Sequence, residues 1–268
     1  MLKKINKILF LVIVLNFITG CNPQKEYNTY ILKQGYIPFM QPLADIGVGA
    51  LIAGTPQSLR FISPPKTCFP NTYNGINTEI RQVTAADLPE IAKNISLNAG
   101  VDANVIAANG TPLFKLKGDF HLIKSLDVHI QGASIEYLDE LVFADWVNSG
   151  MSSSCKNYLI KGGSFIRQAL RVDKMSFQFK NSAGGQIVLT ADNIKSMIDL
   201  DANIKWEISN SYTLTITTPK YIGYHLAKVS PQDPSSIALI ASSLTPEGQF
   251  NFIAAQAYRI FFRGLMIK

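Results

Sequence analysis

The chain has 268 residues, of which 47% are hydrophobic, 16% charged and 10% aromatic, with a formal net charge of +6. That length builds one large domain or two modest ones with ample core, and a charged fraction well below the usual quarter excludes disordered and coiled-coil classes. Three cysteines are too few for a disulfide-built scaffold or an all-cysteine metal site.

Much of the positive charge is terminal. Lys3, Lys4 and Lys7 lie in the first 20 residues, which hold no acid, and the remainder carries 22 basic against 19 acidic residues. Nucleic-acid binding thereby loses its main support. After the lysines, Ile8 to Ile18 form an apolar run of eleven residues, too short to span a bilayer and laid out like a secretory signal. The run ends in Ile18-Thr19-Gly20-Cys21. This resembles the lipobox of bacterial lipoproteins: an aliphatic residue, two small ones, then the cysteine that is acylated. The resemblance covers residues 1–21. It implies removal of a signal peptide, residues 1–20, and thioether diacylation of Cys21, with the new amino terminus usually acylated as well. Several acyl chains anchor a protein stably where one would be marginal. Asn22, in place of the aspartate that retains many such proteins at the inner membrane, favours the outer membrane.

Residues 21–44 begin polar and end with Pro38 and Pro42, and they read as a lipidated tether entering extended structure. The rest, 45–268, reads as a single domain. Gly47 to Gly54 and Ser58 to Ser63 form a strand pair, and Pro64, Pro65 and Pro70 bracket Cys68 in a rigid loop. Thr84 with Asp87 resembles a capping box opening a short helix, and Leu97 to Gly110 reads as loop.

Between Phe114 and Ile130 apolar and polar residues alternate with period two over seventeen residues, a span of roughly 55 Å if straight, broken near Gly118-Asp119. Ser134 to Asn148 reads as a helix. Gly163 to Phe179 is a strand whose alternation changes phase near Asp173-Lys174, and Gln186 to Thr190 returns as its hairpin partner. A helix over Ala191 to Leu200 precedes a second hairpin, Ile204–Ile208 with Tyr212–Ile216, and Tyr221 to Val229 adds a strand. From about 233 the tail reads as helical, because Asp233-Pro234 and Thr245-Pro246 each place a cap before an N1 proline. The last helix is amphipathic, with Arg259 and Arg263 opposite Ile253, Ile260 and Leu265. Strand clusters interrupted by helices predict an α+β fold, largely antiparallel, with hairpins packed by several helices.

Chemistry is scarce. The run Gly47-Val-Gly49-Ala-Leu-Ile-Ala-Gly54-Thr55 lacks the third glycine of a dinucleotide loop and the lysine of a phosphate loop. His121, Asp127 and His129 share the polar face of the alternating strand, where Asp127 and His129 at i and i+2 offer a pair of metal ligands. His121 stands roughly 26 Å from His129 on a straight strand; a solvated strand face is the simpler reading, with no metal and no cofactor. No Gly-x-Ser-x-Gly elbow occurs, and no residue pattern marks a catalytic centre. With Cys21 acylated, Cys68 and Cys155 remain in a compartment that permits a disulfide. Such a bridge closes a loop of 87 residues; two buried thiols or a redox pair are the alternatives.

The expected protein is a non-catalytic envelope lipoprotein, anchored through Cys21, that binds an envelope protein or supports a secretion or surface assembly. A membrane-active, pore-forming protein is the second reading, and an envelope hydrolase the third.

Overall fold

The computed structural model describes residues 23–43, 46–70, 72–73, 76–77, 79–86, 95–96, 104–108, 111–116, 123–200 and 205–256. A helix, Pro23–Lys33, leads into β1 (Ile37–Leu43), followed by the hairpin of β2 (Leu51–Thr55) and β3 (Ser58–Ser63). A short helix, Pro65–Cys68, precedes the paired strands β4 (Thr72–Tyr73) and β5 (Ile76–Asn77). Next come β6 (Arg81–Ala85), β7 (Ile95–Ser96), β8 (Asn104–Ala108), β9 (Thr111–Leu116) and the long β10 (Ser125–Leu138). Helices Glu140–Ser149 and Ser153–Ile160 connect β10 to β11 (Ser164–Lys180). Helix Ala191–Met197, β12 (Ile198–Leu200), β13 (Trp206–Ser209) and β14 (Thr213–Ile216) follow. The described chain closes with β15 (Lys220–Val229), β16 (Ile237–Leu244) and β17 (Phe250–Ala254).

The spine is the antiparallel pair β10–β11, in continuous register from Ser125 opposite Lys180 to Tyr137 opposite Gln168. β14 and β15 share the other edge of β11, and β16 and β17 continue outward from β15. β6 and β7 flank β10, and β1 pairs with β15. The main sheet has twelve strands; β8, β9 and β12 form a separate one. Every one of these pairings is antiparallel, so the fold is the expected α+β arrangement dominated by antiparallel sheet.

Two apolar clusters cover opposite faces of this sheet. One gathers Leu126, Val128, Leu170, Val172, Met175, Phe177 and Ile222 under Tyr27, Tyr30 and Ile31 of the first helix. The other gathers Phe69, Ile80, Leu138, Phe143, Phe165, Tyr221 and Tyr224 under the helices that flank the disulfide. Leu170 and Val172, then Met175, Phe177 and Phe179, all join the first cluster, so the alternation of β11 does change phase across Asp173-Lys174. Fully burying an aliphatic side chain such as Ile31 stabilises by about 1.5–3 kcal/mol, and the helix enters the core through residues at i, i+3 and i+4.

Several expectations need correction. The tether over 21–44 is folded from Pro23 onward: helix Pro23–Lys33 and β1 bury Tyr27, Ile31, Ile37 and Phe39. Its polar composition hid an apolar stripe three residues wide. The helices expected after 233 are replaced by the hairpin β16–β17. Asp233 caps a turn rather than a helix, its carboxylate accepting from Ser235 N, Ser235 Oγ and Ser236 Oγ. Thr245-Pro246-Glu247-Gly248 closes the hairpin, with Gly248 at φ 77° supplying the left-handed conformation that such turns require. Of the expected amphipathic C-terminal helix, 250–254 are strand, 255–256 are helical and 257–268 lie outside the described residues.

The helix expected from Ser134 begins only after Asp139, whose side chain accepts from Leu141 N and Val142 N. Ser134 to Leu138 extend β10 between β6 and β11. Thr84 stands in β6 rather than at a cap, and 104–108 form β8 rather than loop. The long alternation belongs to two strands of different sheets, β9 and β10.

Candidate functional site

The second face of the sheet carries a cleft of about 640 Å³ between the Pro65–Cys68 helix and the start of β6, a size typical of small-molecule or peptide side-chain sites. Its walls are apolar, with Val48, Pro64, Phe69 and Ile80 among them, and its polar lining includes Tyr221, Lys66, Glu79 and Arg81. Each wall is positioned locally. Prolines 64 and 65 fix φ at the start of the short helix. Cys68, its last residue, is bonded to Cys155 in helix Ser153–Ile160, with Cα atoms 5.8 Å apart. Ser152 caps that second helix by accepting from Cys155 N at 3.4 Å. Beneath the bridge Phe69, Phe143 and Phe165 pack in series, with centroids 5.8 and 5.1 Å apart. On the opposite wall, Asp139 N donates to Ile80 O at 2.7 Å, tying β6 to helix Glu140–Ser149.

Behind the floor lies a buried acid. Tyr221 Oη donates to Glu136 Oε2 at 2.8 Å, and Arg81 Nη1 stands 3.7 Å from the same oxygen. Glu136 is almost fully enclosed, whereas the Arg81 side chain is half open to solvent. A carboxylate taken out of water needs such partners. Burial, reinforced by the Glu136 charge, pushes the Tyr221 hydroxyl up to about 12. The tyrosine therefore keeps its proton, directed at the acid. Elements next to the lining in sequence expose apolar side chains: Phe61 and Ile62 on β3, Val83 on β6, and Leu141, 80% exposed, in the first turn of the 140–149 helix.

The residues singled out from the sequence are scattered. Cys68 and Cys155 form the bridge. Cys21 and His121 lie outside the described residues. Asp127 is engaged by Lys180 Nζ at 2.6 Å, and His129 lies on β10 opposite Ser176, half-buried. Among the described residues no group of three or more potential ligands could hold a metal ion. His225 lies elsewhere again: it is buried, stacked on Tyr36 at 4.5 Å between centroids, with Nε2 2.8 Å from Gly35 O. Burial pushes this imidazole down to about 4, the Gly35 contact opposing the shift and the Arg167 charge adding to it. Reasoning from sequence missed Arg81, Glu136 and Tyr221. The available signal was Glu136 itself, an acid on a strand two residues from the inward-facing Leu138.

What the cleft offers chemically is recognition: apolar walls for a side chain, a fixed hydrogen-bonding floor, and both signs of charge around the opening. No family model and no curated protein sequence matches the chain. Among solved structures, a bacterial gasdermin from Bradyrhizobium tropiciagri is similar at a TM-score of 0.42 and 12% identity, over 84% of this chain and 89% of that one.

Proposed function

We propose that the protein is a lipid-anchored component of the bacterial cell envelope, held through acylated Cys21, whose domain binds a protein partner through the cleft beside Pro64–Phe69. The observation that carries the reading is the disulfide-clamped cleft, with apolar walls and a Tyr221–Glu136 hydrogen bond at its floor. A concave site with apolar walls and a few placed polar groups is the ordinary form of a binding site, and a buried disulfide suits an exported protein. The lipobox at residues 18–21 supplies the anchor, and the outer membrane is its destination. Growth with a clickable palmitate analogue tests the proposal: the wild-type chain takes up label and fractionates with membranes, and Cys21→Ser abolishes both. An unlabelled, soluble periplasmic product contradicts it.

A second reading, membrane activity through inserted strands, draws on β10–β11, whose 125–131 and 174–180 halves carry one continuous apolar face. In the folded domain that face is packed under Tyr27, Tyr30 and Ile31. No described helix is long and apolar enough to cross a membrane, which leaves strands untouched by that criterion. Dye release from vesicles by the non-acylated chain separates this reading from partner binding.

A further inference from the structure

The distance between the acylation site and the folded domain carries a consequence for how the protein sits on its membrane. Helix Pro23–Lys33 starts two residues after Cys21. Two residues reach at most about 7 Å, whereas a flexible linker of twenty residues spans roughly 25 Å on average. From Tyr27 onward the helix is held at both ends of its apolar stripe, so peeling away could lengthen the link by its first turn at most. Tyr27, Tyr30 and Ile31 are buried in one apolar cluster with Leu126, Val128 and Ile222. At its C-terminal end Gly223 brings the β15 backbone so close that a Cβ there would lie 2.8 Å from Tyr36 Cβ and 2.9 Å from Ile31 Cγ2. Tyr36 Oη accepts from Gln168 Nε2 at 2.6 Å, and the Tyr36 ring stacks on His225.

We propose that the domain rides directly on the bilayer, with the lipid surface against the end of the domain where helix Pro23–Lys33 begins and no tether between them. This rests on the acylation of Cys21 proposed above. The helix covers one face of the sheet and the cleft lies on the other: Gly223 and His225 contact Ile31 and Tyr36, whereas Tyr221 and Tyr224 belong to the cluster beneath the cleft. The short link therefore fixes the domain's orientation and with it the side on which the cleft is presented. A freely tethered domain would offer its cleft in every direction.

The test uses the full acylated chain in phosphatidylethanolamine–phosphatidylglycerol vesicles, with a fluorophore on Thr29→Cys and a headgroup spin-labelled lipid as quencher. Thr29 is solvent-exposed and roughly 9 Å along the helix from Pro23. The expected result is strong quenching that falls by about half or more when ten Gly/Ser residues, reaching about 17 Å, are inserted between Asn22 and Pro23. Equal quenching with and without the insert, at any level, overturns the direct seat. The mass of the same sample separates the two ideas: a chain lacking acyl groups overturns the anchor, and this inference with it.

Discussion

The two faces of the main sheet are closed by different means. On one, helix Pro23–Lys33 is seated by shape, through Tyr27, Tyr30, Ile31 and the glycine-wide gap at Gly223. On the other, three short helices are held by the Cys68–Cys155 bridge and by capping side chains, and they leave a cleft with a buried acid behind it. A face closed by close packing has no room for a ligand. The stapled face is also packed, through Phe143, Leu159 and Phe165, and the bridge holds its helices in order around the cleft. The proposed functions divide in the same way, with anchoring on the first face and binding on the second.

The largest expected effect comes from the staple on the cleft face. Replacing Cys68 and Cys155 together by Ala releases a loop of 87 residues and costs about 4–5 kcal/mol in the chain-entropy account. Urea unfolding measures the loss, and hydrogen exchange accelerates in 140–160 before it does in 23–33.

The helix face has its own handle in His225. Unfolded, an imidazole takes up its proton near pH 6.5, and in the fold burial delays this to about 4. Between those values the unfolded chain binds a proton that the folded chain does not. Stability is therefore full above about pH 6.5 and falls as pH drops towards 4, by about 3 kcal/mol. In His225→Phe that part of the pH slope disappears, whatever the variant's absolute stability.

A smaller loss separates the cleft floor from its walls. Tyr221→Phe removes the donor to Glu136 Oε2 and costs about 1–3 kcal/mol, because a buried acid is left short of a partner. The disulfide still forms in this variant, as non-reducing mass spectrometry checks. The smallest effect belongs to neither closure: Asp127→Asn removes the pair with Lys180 and changes stability by less than about 1 kcal/mol. Zinc binding equal in wild type and Asp127→Asn would confirm that this pair is structural.

The same division governs what could be read in advance. Where one side of a strand is apolar and the other polar, the pattern is local and legible: the outer half of β10 shows Leu126, Val128 and Ile130 against Asp127, His129 and Gln131. β15, almost wholly buried, was legible as an apolar run. Helix Pro23–Lys33 was not, since the three side chains it buries, Tyr27, Tyr30 and Ile31, make a weak stripe until a sheet is there to receive them. The C-terminal hairpin misled because Asp233-Pro234 and Thr245-Pro246 serve turns as well as helix starts, and Gly248 decided between them. The disulfide was legible from counting cysteines, since reading Cys21 as an acylation site leaves Cys68 and Cys155 to pair. The cleft was illegible for a topological reason. Arg81, Glu136 and Tyr221 come from three strands up to 140 positions apart, and only the pairing of β6 with β10, and of β10 and β15 with β11, brings them together.

The proposed division of labour between the two faces can be tested in living cells by placing a photo-crosslinking phenylalanine analogue at Lys66, beside the cleft, and separately at Thr29, on helix Pro23–Lys33. The account predicts a discrete protein adduct from Lys66 and lipid adducts from Thr29. Lipid adducts from Lys66, with protein adducts from Thr29, would contradict it.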